Sequence, residues 1–156
     1  MSISLDDNGF AFTAHVPVRW SDMDAFGHIN HARMVTILEE ARIEWLLSAG
    51  GEHIEGSDDL TIFQPLIKSS MIVHVELRYQ GQLRHEDTPL QVGMWIKQVR
   101  SVDFTIGYQV RSATADLTSK PATVASTQLA VVNIEAQRLQ RLSDQQKGFL
   151  RGWMRD

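Results

Sequence analysis

Cysteine is absent from the 156 residues. That excludes disulfides, thiolate metal sites and a cysteine nucleophile. Long apolar runs are missing too. No stretch approaches the roughly 20 consecutive apolar residues of a membrane span, so no membrane partner is expected. The first residues carry Asp6 and Asp7 and lack a basic segment followed by an apolar run, so no secretory signal is expected. A cytoplasmic location is the expectation. Positive charge is in deficit: the net charge is −4 and the pI about 5.8. General nucleic-acid binding needs a basic face and is not expected. A small anionic ligand stays open, because a few local Lys and Arg residues are enough to hold one.

Several catalytic signatures are missing as well. There is no Gly-x-Ser-x-Gly elbow. No phosphate loop, dinucleotide fingerprint or His-Glu-x-x-His run is present, and no metal site is expected. Neither a repeat nor a low-complexity tract nor a linker divides the chain. With 43% hydrophobic and 22% charged residues, 1–156 reads as one domain with a sizeable core.

What is present begins with alternation. Phe12, Ala14, Val16, Val18 and Trp20 alternate with more polar residues, which predicts a half-buried strand. Pro17 cannot donate a ladder hydrogen bond and suggests a sheet edge or bulge. A helix is predicted over 30–49, because Met34, Ile37, Leu38, Ala41, Trp45 and Leu46 recur three and four residues apart. Asn30 is its expected N-cap and Gly50-Gly51 its stop. Glu40, Glu44 and Arg42 are placed on its wetter side, and Glu39 or Glu40 is expected to pair with Arg42 or Arg33.

Residues 51–59 read as a loop and 60–68 as extended, broken at Pro65. Val73, Val75, Leu77 and Tyr79 alternate, then Leu90, Val92, Met94 and Ile96, then Val102, Phe104, Ile106, Tyr108 and Val110. Between the last two series, Arg100-Ser101 reads as a tight reversal. A longer strand follows over 122–134. Ser143 with Gln146 forms a capping box for a last helix carrying Phe149, Leu150, Trp153 and Met154 on one stripe. One long helix followed by successive strands on short loops gives an α+β layer architecture with an antiparallel sheet.

The polar stretch at 20–31, Trp-Ser-Asp-Met-Asp-Ala-Phe-Gly-His-Ile-Asn-His, joins the first strand to the long helix. It places Asp24 and His28 near a helix N-terminus, where unpaired N–H groups favour negative charge. A carboxylate beside such donors is the outline of an acyl-transfer centre. Asp22 reads as loop scaffolding.

This stretch resembles the signature of the 4-hydroxybenzoyl-CoA thioesterase-like family. Trp20, Asp24, His28, Ile29 and Asn30 match in register, as does Glu39-Glu40-Ala41-Arg42. The element order is similar to the hotdog fold, a curved antiparallel sheet of about five strands wrapped around one long helix. The plant acyl-carrier-protein thioesterases have a similar Asp-x-Asn-x-His run. Phe26 stands where those enzymes have Asn, so an Asn-assisted mechanism does not carry over; His31 and Met34 also depart from the family pattern.

The resemblance implies an acyl-CoA thioesterase, with coenzyme A entering only as part of the substrate and no separate cofactor. Asp24 would be nucleophile or general base. Backbone N–H groups at Gly27 and His28 would polarise the carbonyl, and the His28 ring would contact the carbonyl or a water. Phe26, Asn30, His31, Arg100 and Ser101 are the expected substrate contacts. Glu39 or Glu40 is the reserve carboxylate; Arg84, Lys97 and Arg100 are candidates for the phosphates. A homodimer or homotetramer is implied, built edge to edge with sites at the interface. The alternatives are a non-catalytic acyl-CoA or acyl-carrier binding protein, and an acyl-carrier-protein thioesterase.

Overall fold

The alternating segments do become strands. A computed structural model describes residues 4–52 and 66–155. Its order is β1 (Phe12–Val16), α1 (His31–Glu52), β2 (Ser70–Tyr79), β3 (Leu90–Val99), β4 (Asp103–Arg111), β5 (Thr123–Asn133), β6 (Arg138–Leu139) and α2 (Asp144–Gly152). The strands form one antiparallel sheet in the order β1-β3-β4-β5-β2, with the short β6 paired to β5. This is the hotdog arrangement, a curved sheet around one long helix.

Periodicity fixes which face meets the helix. Leu90, Val92, Met94 and Ile96 of β3, with Phe104, Ile106, Tyr108 and Val110 of β4, are all fully buried. They meet Met34, Ile37, Leu38, Ala41 and Trp45 of α1 in one core. Each such aliphatic side chain removed from water contributes about 1.5–3 kcal/mol. At the other end of the core, Trp153 of the α2 cap tilts against Trp45, with ring centroids 5.1 Å apart. Ser143 caps α2 as the box requires: its Oγ accepts from the Gln146 N–H at 3.1 Å.

Several expectations need correction. β1 stops at Val16, and the chain then turns through a short 3-10 turn at Trp20–Asp22, leaving Trp20 78% exposed. The Arg19 N–H bonds the Asp22 carboxylate at 3.0 Å, which closes that turn against further strand. α1 runs through Gly50-Gly51 to Glu52. A glycine pair costs only about 1 kcal/mol per residue in a helix and can be overridden by packing. Residues 66–68 are helical rather than extended; 53–65, which hold most of the expected loop and extended segment, lie outside the described residues. Arg42 is buried rather than wet, its Nη1 donating to Tyr108 Oη at 3.2 Å and its Nη2 lying 3.7 Å from Glu39. Glu40 pairs with Arg19 at 2.9 Å, not with a helix neighbour. The short β6 was not anticipated; two residues carry too little pattern to show.

No described helix is long and apolar enough to cross a membrane. The core reading predicts that Ile37→Ala lowers unfolding free energy by about 2–5 kcal/mol. The exposed Glu44→Ala, one helix face away, shifts it by about 0.5 kcal/mol or less. Urea denaturation of the two variants checks the contrast.

Candidate functional site

The loop between β1 and α1 is a small hairpin in its own right. Met23 and Ile29 form an antiparallel bridge, and the Asp24 N–H donates to the His28 carbonyl at 2.7 Å. Gly27 takes a φ of +81°, a region that L side chains avoid, and a Cβ there would meet nothing within 4 Å. The glycine is thus required by its backbone angle, not by crowding within this chain.

Asp24 is the centre of this loop. Its Oδ1 accepts from the Phe26 N–H at 2.8 Å and the His28 N–H at 3.0 Å. These bonds, His28's foremost, hold the carboxyl below its ordinary value of 3.8. Asp24 is therefore ionised at neutral pH, with one oxygen anchored and Oδ2 without a hydrogen bond among the described residues. Gly27 N–H donates a longer bond, 3.3 Å, to the Asp24 carbonyl and also helps hold the carboxyl low. The His28 amide, expected to face a carbonyl, is thus committed to Asp24 in this conformation.

The helix terminus is occupied in the same way. Asn30 Oδ1 accepts from Ala32 N–H at 2.8 Å, and the Asn30 carbonyl accepts from Arg33 at 3.0 Å and Met34 at 3.2 Å. Asn30 is the N-cap that the sequence predicts. It also uses up first-turn donors that the sequence reading reserved for developing charge. What steadies the Asp24 carboxylate is its own loop.

Asp22 lies beneath, 1% exposed. Its Oδ2 accepts from Arg19, its carbonyl accepts from Asn30 N–H at 2.8 Å, and its Oδ1 is buried without a hydrogen-bond partner among the described residues. It joins the 3-10 turn to the start of α1. Ile29 N–H reaches across to the Leu83 carbonyl at 2.8 Å, which fixes the loop to the β2–β3 connection.

Asp24, Gly27, Ala25, Met23 and Trp20 line one side of an open cleft of about 650 Å³. Arg84, His85 and Glu86 line the other. The His85 ring stacks flat on Trp20, with centroids 4.3 Å apart and planes 9° apart. The sequence reading named Arg84 for phosphate contact but missed His85 and Glu86. They sit in the β2–β3 connection, which carries no motif of its own, and only the bond of Ile29 to Leu83 brings that connection to the loop. Phe26 is 84% exposed at the loop tip, and His31 is exposed at the first position of the helix.

Arg100 and Ser101 lie elsewhere in the chain. β3 is 10 residues long, about 30 Å, and they follow its far end, whereas the cleft wall precedes its near end. Arg100 holds Asp103 through two bonds, 2.8 and 3.0 Å.

Comparison with known proteins adds the following. A family model described as the thioesterase-like superfamily matches residues 18–150. No curated protein sequence matches. Among solved structures, a predicted thioesterase from Bacillus stearothermophilus is 17% identical with a TM-score of 0.70, over 93% of this chain and 97% of that one. A Thermus thermophilus thioesterase complexed with coenzyme A and Zn is 18% identical, TM-score 0.68, over 93% and 95%. A 1,4-dihydroxy-2-naphthoyl-CoA thioesterase from Synechocystis is 17% identical, TM-score 0.67, over 89% and 94%. At these identities the likeness is one of fold.

The loop geometry yields a graded expectation. Gly27→Val costs about 1–2 kcal/mol of backbone strain and lowers any activity of the cleft, while Gly27→Asn, which tolerates that angle, loses less. Thermal melts with a rate assay on the two variants test the order.

Proposed function

This chain belongs to the thioesterase-like superfamily and is a thioester hydrolase, and from that premise we propose that it cleaves an acyl-CoA at the Asp24 cleft. The single observation that carries the proposal is the Asp24 clamp: an ionised carboxylate, anchored by two amides through one oxygen, in the wall of an open cleft. A binding module has no use for such a charge facing a thioester.

Asp24 Oδ2 acts on the thioester carbonyl, either by attack to form a mixed anhydride or by taking a proton from water. Attack moves the carbonyl electrons onto oxygen, and collapse expels the thiolate of coenzyme A; on the anhydride route water then cleaves the anhydride, releasing the acid and restoring the Asp24 carboxylate. Gly27 N–H, whose bond to the Asp24 carbonyl is long at 3.3 Å, supports the growing oxyanion. The His28 ring contacts the carbonyl or the water. Phe26, Asn30 and His31 flank the acyl group and Arg84 meets a phosphate. Coenzyme A bound to the Thermus relative is in keeping with this substrate class.

A second copy of the chain completes the site in this proposal. β2 is one of the sheet's two terminal strands, β1 being the other, and it exposes Met71, Ile72, Val73 and Tyr79. An unpaired apolar edge favours pairing with another strand. Antiparallel pairing of β2 with its own copy lays the Ser70 end of one against the Tyr79 end of the other. The Tyr79 end belongs to the Asp24 side, because Tyr79 Oη donates to the His31 carbonyl at 2.6 Å. The Ser70 end belongs to the Arg100-Ser101 turn: Ser70 is paired with Val131, whose N–H bonds Val102 at 2.8 Å. Pairing thus brings that turn from one copy toward the cleft of the other, as a homodimer or a pair of dimers.

Thiol release over a panel of acyl-CoAs tests the activity. Asp24→Asn is expected to lower kcat about 100-fold or more; equal thiol release by wild type and this variant would refute the assignment. Because the carboxyl is held low, the active anion survives below the ordinary aspartate range. The acid limb of kcat/KM governed by Asp24 therefore lies below the ordinary aspartate range, and a kcat/KM profile from pH 8 down to that range stays flat with respect to this group. For the assembly, light scattering at micromolar concentration is expected to give a dimer or tetramer, and Val73→Lys to weaken it.

A further inference from the structure

The sheet face turned away from α1 carries an unusual concentration of positive charge. Phe10 and Trp95 lie flat on it, and glycine is what allows this. A Cβ at Gly93 would come 2.7 Å from the Phe10 ring, and one at Gly107 would come 2.5 Å from Trp95. Two guanidinium groups sit on these rings. Arg155 Cζ is 4.8 Å from the Trp95 centroid and 5.6 Å from that of Phe10; Arg111 Cζ is 5.9 Å from Phe10. Each cation gains from the ring it covers. Sharing Phe10, they also repel.

Arg111 is buried, yet no carboxylate among the described residues bonds it. Its Nε and Nη2 donate to the Ser119 carbonyl at 2.9 and 2.6 Å, and Nη2 donates to Gln109 Oε1 at 2.9 Å. Nη1 is buried without a hydrogen-bond partner among the described residues. Burial, and secondly the charge of Arg155, push this guanidinium below its usual value, against the pull of Asp116. A buried charge with only neutral partners is costly.

A concavity of about 460 Å³ opens beside these groups, with Arg111, Lys120 and Arg155 on its wall and Asp7 as its acidic member. A smaller hollow of about 190 Å³ shares Arg111 and Lys120 and extends to Leu83 and Asp87, toward the connection whose Arg84 faces the Asp24 cleft. We propose that the larger concavity is an anion site that takes a phosphate group, bound by Arg155 and Lys120 and favoured by the buried charge of Arg111. Phosphate suits it better than a carboxylate: it carries up to two charges and several acceptor oxygens to divide among the three cations on the wall.

The phosphate has two possible sources, a free phosphate or phosphate monoester, and the 3′-phosphate of coenzyme A. The second source rests on the acyl-CoA reading above; the site itself does not.

Titration calorimetry of the full chain with inorganic phosphate at low ionic strength tests the proposal. Saturable binding is expected, weakened about tenfold or more in the Lys120→Ala/Arg155→Ala double variant, where the charge-assisted bonds are lost. Lys147→Ala, a basic residue outside the concavity, is expected to bind as wild type does. Urea midpoints establish that each variant is folded. No saturable binding by wild type, or equal binding by the double variant, overturns the site. Competition then identifies the source. Displacement of phosphate by coenzyme A but not by dephospho-coenzyme A assigns the 3′-phosphate; displacement by neither assigns a free phosphate. Asp24→Asn is expected to leave phosphate binding unchanged, so failure of the thioesterase mechanism and failure of this site remain distinguishable.

Discussion

The Asp24 carboxylate bonded to the Phe26 and His28 amides is the interaction on which the functional end of this molecule turns. It closes a loop of five residues on itself, and Gly27 alone supplies the backbone angle that lets it close. The same two bonds set the charge state. A carboxylate that accepts two N–H bonds is a poor proton acceptor but a well-positioned anion. Within the proposed mechanism, this favours attack or orientation by Asp24 over a role that depends on strong basicity. It also shifts the electrostatic support from the helix to the loop. Asn30 satisfies the start of α1, so the helix contributes position while the loop contributes donors.

Position comes from the sheet. α1 can hold the loop still because its apolar stripe is locked against β3 and β4. The loop is held from the far side by one bond, Ile29 to Leu83, and from beneath by Asp22 and Arg19, with Arg19 bridging on to Glu40. Each of these ties joins the stretch to a different element. A displacement of α1 would therefore move the anchor of the carboxylate and the opposite wall of the cleft by different amounts, and open or close the space between them.

The layering was legible because it rests on period and on caps. Alternation in β3 and β4 translates directly into buried and exposed faces, and Asn30 and Ser143 cap their helices by local chemistry that needs no partner from elsewhere. Asp24 could be singled out as a candidate because its register to His28 and Asn30 is local too. What stayed hidden was whatever depends on long-range pairing. Arg42 looks like a solvated arginine until Tyr108, far away in sequence, turns out to hold it. His85 and Glu86 look like loop residues until Leu83 pairs with Ile29. The donors at Gly27 and His28 were read as free because a carboxylate folding back on its own loop leaves the same sequence signature as one reaching outward.

That distinction between local and long-range order also explains how an acidic chain comes to carry basic hollows. A net charge of −4 repels anions at a distance, so any anion must be held by groups brought together locally. Arg111 lies in β4, Lys120 on the following loop and Arg155 beyond α2; no window of sequence shows them as a cluster. They meet because Phe10 and Trp95 cover the glycines of the central strands and offer aromatic faces on which guanidinium groups settle. The inner face of the sheet is specified by apolar alternation, which tolerates many substitutions of similar size. The outer face is specified by the lack of side chains at Gly93 and Gly107 and by segments from both sides of the sequence crossing over it. A single larger residue at either glycine would lift a ring and separate the cations, while leaving the helix, the core and the Asp24 loop where they are.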